Sequence, residues 1–286
     1  MNDVVHVRDL VKSYGDAPAV DGVSFDVAAG ETFGLLGANG AGKTTTLECL
    51  LGVNRPDAGS VTILGLDPRA RRKELFQRVG VQFQEARYQD KITVDELCRA
   101  TRALYREADD PADLLARFGL AEVRSQAVES LSGGQRQRLF VVLALIPRPE
   151  VVFLDELTTG LDVKARRDVW NLLDEMRQQG MTIVLTSHFM DEVEALCDQV
   201  AILRKGRIVF SGTVAEAVAS GPFASFEDAY LAYAEPDASA KRVEHAGTAE
   251  PDASAESAEP DASAIAAPGD ATATPHPAEG GAHESL

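Results

Sequence analysis

Cysteine is scarce. The 286 residues hold three, Cys49, Cys98 and Cys197, too few and too scattered for a disulfide framework or a zinc site. They read as buried thiols of a reducing compartment. Basic charge is also short, with 28 Lys and Arg against 45 Asp and Glu and a net charge of -17. That balance argues against a protein that holds DNA or RNA by neutralising phosphates. Long apolar runs are missing too. The longest candidate, Leu139 to Pro147, is about half of what a membrane span needs, so the chain is not expected to cross a membrane by itself. The start, Met1-Asn2-Asp3-Val4-Val5, lacks a basic stretch followed by an apolar one, and no signal peptide is expected.

Hydrophobic residues make up 45% of the chain, enough for a sizeable core in one large domain or two small ones. The acidity is uneven, because residues 235–286 hold 11 acids and 2 bases. That segment has no aromatic residue and six of the 13 prolines. It repeats Ala-Glu-Pro-Asp-Ala-Ser-Ala at 234–240, 249–255 and 258–264. So little apolar surface cannot offset the entropy of ordering, and uneven spacing denies the repeats a stacking period. The expectation is a folded region over 1–234 and a disordered, acidic Ala/Pro/Asp/Glu-rich tail over 235–286.

Within the folded region, residues 4–10 and 20–28 alternate apolar with polar side chains, the period of half-buried strands. Thr32 to Leu36 is a short apolar strand before a glycine-rich loop, and Lys43 to Leu51 has helical spacing. Ser60 to Leu64 and Val79 to Phe83 read as strands. A mostly helical insert follows at about 88–147. Thr93 and Glu96 stand in capping-box spacing for a helix through Arg106, Pro111 opens a second, and a third begins after Ser132. Val151 to Leu154 is a buried parallel-type strand. Helix 163–178, strand Thr182 to Thr186, helix 190–197 and strand Val200 to Leu203 continue an α/β alternation, closed by a hairpin and a short helix near Tyr233.

Gly37-Ala38-Asn39-Gly40-Ala41-Gly42-Lys43-Thr44 matches the phosphate-loop pattern, a glycine, four residues, then Gly-Lys-Thr. Successive backbone N–H groups can aim at one anion only where glycines allow the required backbone. The helix from Lys43 adds the positive end of its dipole. Lys43 is placed to reach the terminal phosphates and Thr44 to hold Mg²⁺. A second segment, Leu131-Ser132-Gly133-Gly134-Gln135, lies directly before a helix. Taken alone it is an N-cap and turn, yet an identical pentapeptide arises by chance in about 1 in 1000 chains or fewer. It lies between the phosphate loop and an apolar run ending Asp155-Glu156.

On these residues the sequence resembles the nucleotide-binding subunit of an ATP-binding cassette (ABC) transporter, over residues 4 to about 233. The resemblance implies an α/β fold: a P-loop NTPase core with an antiparallel β subdomain and an inserted α-helical subdomain. Gly37 to Thr44, extended by Thr45, looks like the family's Walker A loop, so Gly37, Asn39, Gly40, Ala41, Gly42, Lys43, Thr44 and Thr45 are expected to bind ATP. Tyr14 looks like the aromatic that stacks on adenine. Gln84 looks like the Q-loop glutamine that touches Mg²⁺ and faces the membrane partner; its strand-then-loop position favours it over Gln82. Val151 to Glu156 is similar to the Walker B strand, with Asp155 on Mg²⁺ and Glu156 positioning or deprotonating the attacking water. His188 looks like the switch histidine on the γ-phosphate, and Gly160-Leu161-Asp162 matches the D-loop. One departure is Leu157, where the family usually has proline. Proline fixes φ and removes an N–H, and leucine is expected to loosen the turn.

The resemblance further implies that Ser132, Gly133, Gly134 and Gln135 face the phosphate loop of a second copy, so that ATP is sandwiched in a dimer, by complete motifs a homodimer. A separate integral-membrane permease, contacted near Gln84, Arg87 and Tyr88, would do the transmembrane work at the cytoplasmic face of the membrane. The segment Thr186-Ser187-His188-Phe189-Met190-Asp191-Glu192-Val193-Glu194-Ala195-Leu196-Cys197-Asp198 resembles the multidrug, ABC-2-type exporter subclass. The expected function is ATP-driven export. The alternatives are an importer ATPase, a non-transport ABC ATPase of translation or repair, and an ATP-binding regulatory module. No nucleic-acid partner is expected.

Overall fold

The computed structural model describes residues 2–83 and 88–234. Gln84 and Arg87 lie outside the described residues, as does the 235–286 segment read as disordered.

The chain opens with a long hairpin, β1 (Asp3–Tyr14) and β2 (Ala17–Ala28), whose strands alternate as the sequence predicts: Val5 and Val7 face Val27 and Phe25 and are buried, with polar neighbours outward. β3 (Thr32–Gly37) is buried throughout and feeds α1 (Lys43–Leu50). β4 (Ala58–Ile63) returns to pair antiparallel with β1, completing a three-stranded sheet β2-β1-β4. A four-residue helix α2 (Arg72–Leu75), without a side-chain cap or a sequence signal of its own, leads into β5 (Val79–Gln82).

Three helices follow, α3 (Val94–Arg102), α4 (Pro111–Arg117) and α5 (Gly133–Leu145), the last two joined through short 3₁₀ turns. Thr93 caps α3 in the predicted box with Glu96, and Asp110 with Pro111 opens α4. α3 stops at Arg102 rather than Arg106. The side chain of Gln77 holds the next residues in turns, its Nε2 donating to Leu104 O at 3.1 Å and its Oε1 accepting from Arg106 N at 2.9 Å. Val94, Leu97, Leu114, Phe118, Leu139 and Val142 form the helical region's share of a core that continues onto Leu154.

β6 (Val151–Asp155), α6 (Val163–Gln178), β7 (Thr182–Ser187), α7 (Met190–Leu196), β8 (Gln199–Arg204), β9 (Arg207–Gly212), α8 (Val214–Ala219) and α9 (Phe226–Ala234) complete the described fold. The second sheet runs β5-β6-β7-β3-β8-β9, parallel except for β9. β3, β6 and β7 are buried at every position, which explains their unbroken apolar character. Strands that occur in the order 3, 6 and 7 along the chain thus end side by side. Their carboxyl ends are where α/β sheets of this kind place ligands. Among the described residues, no helix is long and apolar enough to cross a membrane.

Candidate functional site

The loop leaving β3 is shaped by its glycines. At Gly37 (φ 151°) a Cβ would lie 2.5 Å from Leu203 O, and at Gly42 (φ 108°) it would lie 2.3 Å from Ala19 O. Side chains are therefore excluded at both ends of the loop. Between them the chain wraps around its own lysine. Lys43 Nζ donates to Gly37 O at 2.7 Å and Ala38 O at 3.3 Å. Lys43 is 7% exposed, and burial lowers its pKa against the opposing pull of Glu156 and Asp155. Thr46 ties the helix start back to Gly42 O.

Asp155 closes β6 at 2% exposure. Burial raises its pKa; the Thr186 hydroxyl, donating to Oδ1 at 2.5 Å, and the charge of Lys43 work the other way, while Glu156 adds to the rise. Thr186 also receives the next peptide, since Glu156 N donates to its Oγ1 at 3.1 Å and its carbonyl at 3.2 Å. Glu156 itself holds φ at 53°, left-handed backbone that a non-glycine residue adopts only under constraint. That twist turns its carboxylate to the cleft, where Oε1 lies 3.8 Å from His188 Nδ1. His188 follows the end of β7 and stacks against Phe189.

These groups border one cleft of about 960 Å³, lined by Tyr14, Ala19, Gly37 to Gly40, Gly42 to Thr45, Glu156, His188 and Tyr230. Tyr14 is 53% exposed at the cleft edge and is steadied by Asn54 Nδ2, which donates to its hydroxyl at 2.8 Å. Ala41 and Asp155 lie beneath the lining, buried. Ser132, Gly133, Gly134, Gln135 and Asp162 are not among the residues bordering it. Ser132 caps α5 reciprocally with Gln135, and Asp162 caps α6 by accepting from Ala165 N at 2.8 Å. These two caps adjoin: a Cβ on Gly134 would touch Leu161 at 3.4 Å.

The turn after Glu156 is firmer than proline's absence suggests. Leu157 is wholly buried in the helical-side core. Its carbonyl accepts from Gln137 Nε2 at 2.7 Å, and Glu156 O from the same nitrogen at 3.3 Å. Burial and an α5 side chain thus do the work of a proline ring. Gln137, Thr186 and Tyr230 are site residues that the sequence reading passed over. Thr186 carried a signal, a hydroxyl at the end of an apolar strand beside His188; the others carried none. Gln82, weighed against Gln84 for the Q-loop, is buried on β5 with Nε2 donating to Asp155 O at 3.1 Å, and its Oε1 has no hydrogen-bond partner among the described residues.

The family described as ABC transporter matches residues 20–159. The "Nod factor export ATP-binding protein I" of Rhizobium meliloti (strain 1021) is 41% identical over 213 residues, covering 73% of this chain and 64% of that protein. This chain thus spans slightly less than two thirds of the Rhizobium relative. The protein of the same name from Burkholderia orbicola (strain AU 1054) is 42% identical over 213 residues, covering 73% of this chain and 70% of the relative. Among solved structures, an ATP binding subunit of an ABC transporter superposes with a TM-score of 0.74 at 26% identity, covering 80% of this chain and 98% of that one. A dimeric bacterial ABC transporter cassette shares the fold at a TM-score of 0.66 and 23% identity, covering 73% and 98%. A phosphate loop built around Lys43, and relatives of this identity that span it, place the chain in the ABC transporter family, among its ATP-binding subunits.

Proposed function

We propose that this chain hydrolyses ATP in the cleft as one half of a homodimer and thereby powers export through a separate integral-membrane permease. One observation carries the reading: the carboxyl ends of β3, β6 and β7 bring Asp155, Glu156 and His188 up to Lys43 and the glycine-rich loop that holds it.

The residues fit a magnesium nucleotide. Asp155 and Thr44 offer the hard oxygen donors that Mg²⁺ prefers, and the burial that disfavours the charge of Asp155 is what a bound cation would offset. Mg²⁺ held by Asp155 and Thr44, with Gln84 the third expected contact, would neutralise charge on the β- and γ-phosphate oxygens. Lys43 keeps a cation against the phosphates, and the loop amides add donors. Glu156 takes a proton from the attacking water as that oxygen bonds to the γ-phosphorus. The bond to the β–γ bridging oxygen breaks, and its electron pair leaves with ADP. His188, across 3.8 Å from Glu156, donates to the γ-phosphate. Tyr14 offers its face to the adenine.

Ser132 to Gln135 border no part of their own chain's cleft, which supports their use by a second copy. Ser132 Oγ accepts from Gln135 N, which leaves its O–H to donate across the interface. Closure with ATP and opening after hydrolysis then form the two-state element. Export follows the relatives, both named for export, and the permease selects what is moved. Docked on it, the chain works at the cytoplasmic face of the membrane.

The test uses Glu156→Gln. Turnover should fall by about 100-fold or more while ATP binding persists. Tagged Glu156→Gln protein with Mg-ATP should recover a stoichiometric multi-span partner from detergent-solubilised native membranes, read by mass spectrometry. Undiminished hydrolysis sinks the catalytic assignment, and recovery with ribosomal or DNA-repair proteins sinks the transport reading.

A further inference from the structure

Below the turn that follows Glu156 lies a carboxylate that the proposed reaction does not use. Glu192, on α7 four residues after His188, is 0% exposed. Trp170 of α6 donates from Nε1 to its Oε1 at 3.2 Å. Burial raises its pKa, opposed by Ser187, Thr158, Trp170 and the charge of Arg166. These neighbours come from different places. Ser187 ends β7, and Thr158 belongs to the turn between β6 and α6. One helical turn before Trp170, Arg166 lays its guanidinium over the Phe189 ring at 4.4 Å and donates to Asp191 at 2.9 Å. Two residues of α6 spaced i, i+4 therefore grip the segment that directly follows His188.

The cluster is incomplete. Thr158 Oγ1 and Glu192 Oε2 are both buried, and neither has a hydrogen-bond partner of good geometry among the described residues. Thr158 is nonetheless near enough to favour the carboxylate's charge. A buried polar atom left unpaired is costly, and an apolar side chain would fill the same space without that cost. Two such atoms close together mark a contact made in another arrangement of the turn.

We infer that Glu192 is a positioning residue: when the turn at 156–162 shifts on nucleotide binding, the Thr158 hydroxyl comes to donate to Glu192 Oε2. The closed contact then fixes the turn carrying Glu156 against the strand end carrying His188. Asp162 lies in the same turn, so whatever engages it biases the same contact. The inference rests on the proposed ATPase reading for what moves the turn.

Trp170 is the chain's single tryptophan, so its emission reports on this cluster directly. The full chain and its Thr158→Val, Thr158→Ser, Glu192→Ala and Glu192→Gln variants are compared with and without Mg-ATP, alongside steady-state ATPase. Mg-ATP should shift Trp170 emission in wild type, Thr158→Ser and Glu192→Gln, and leave Thr158→Val and Glu192→Ala unmoved. The two unresponsive variants should lose kcat by about tenfold, the rate equivalent of one hydrogen bond, with KM within about twofold. Combining Thr158→Val with Glu192→Ala should cost no more than either alone. A Thr158→Val protein that responds and turns over like wild type overturns the inference, as do losses that multiply in the double variant. Should Glu192→Ala fail to fold, the Val and Ser pair at 158 decides, because Thr158→Val keeps the shape of threonine and removes only a hydroxyl that makes no hydrogen bond of good geometry in this conformation. An active wild type with unmoved Trp170 overturns this inference and leaves the proposed function standing. A wild type with the emission shift and no turnover supports the inference and overturns the proposed function.

Discussion

Two carboxylates near the cleft, Asp155 and Glu192, lie where burial disfavours their charge. For Glu192 this has a consequence for stability with pH. The unfolded chain releases the proton near the ordinary glutamate value of 4.5, and the folded chain only at higher pH. Between the two values the native state binds more protons, so stability falls as pH rises through that window and is greatest below it. Glutamine carries no such proton and can still accept from Trp170. The urea midpoint of Glu192→Gln relative to wild type should therefore climb as pH is raised from about 4 to about 8; a difference flat with pH would mean that Glu192 stays ionised in the fold. Neither this burial nor the φ of Glu156 could be read from the sequence. Asp155, Glu156 and His188 were legible because each ends an apolar strand in a known order. Of their supports, Thr186 carried a signal as a hydroxyl at the end of its strand, whereas Gln137, which holds the turn from α5 at a separation of 20 residues, carried none.

Helix starts are the elements that the sequence states most plainly. Thr93 with Glu96 and Ser132 with Gln135 are both reciprocal capping boxes, each using residues only three apart. α2 escaped notice for the opposite reason: four residues without a side-chain cap have no local signature. The end of α3 was misread because Gln77, a residue outside the helix, sets it. The two boxes also separate structure from function. Thr93→Ala and Ser132→Ala each delete one cap, and each should cost about 1 kcal/mol in urea unfolding. Ser132→Ala should lower ATPase by more than Thr93→Ala does, because the Ser132 hydroxyl is proposed to donate to a partner's nucleotide. Equal ATPase in the two variants would reduce Ser132 to a helix cap.

At the scale of the whole molecule, the proposed dimer gives each chain half of two sites rather than one whole site. Its cleft carries the phosphate loop, Glu156 and His188, while Ser132 to Gln135 lie elsewhere on its surface. Chains that each lose a different half should therefore rescue one another. Lys43→Ala spoils the cleft and leaves the Ser132 to Gln135 segment. Ser132→Arg, at an exposed position, blocks that segment and leaves the cleft. Either protein alone should be inactive. Mixed in equal amounts and paired at random, half of the dimers join one of each, and every such dimer has one intact composite site. ATPase should then return to roughly a quarter of the wild-type rate if the sites fire independently. A lower value would mean that one site needs its neighbour occupied. No return at all would mean that each chain completes its own site, and the dimeric reading would fall.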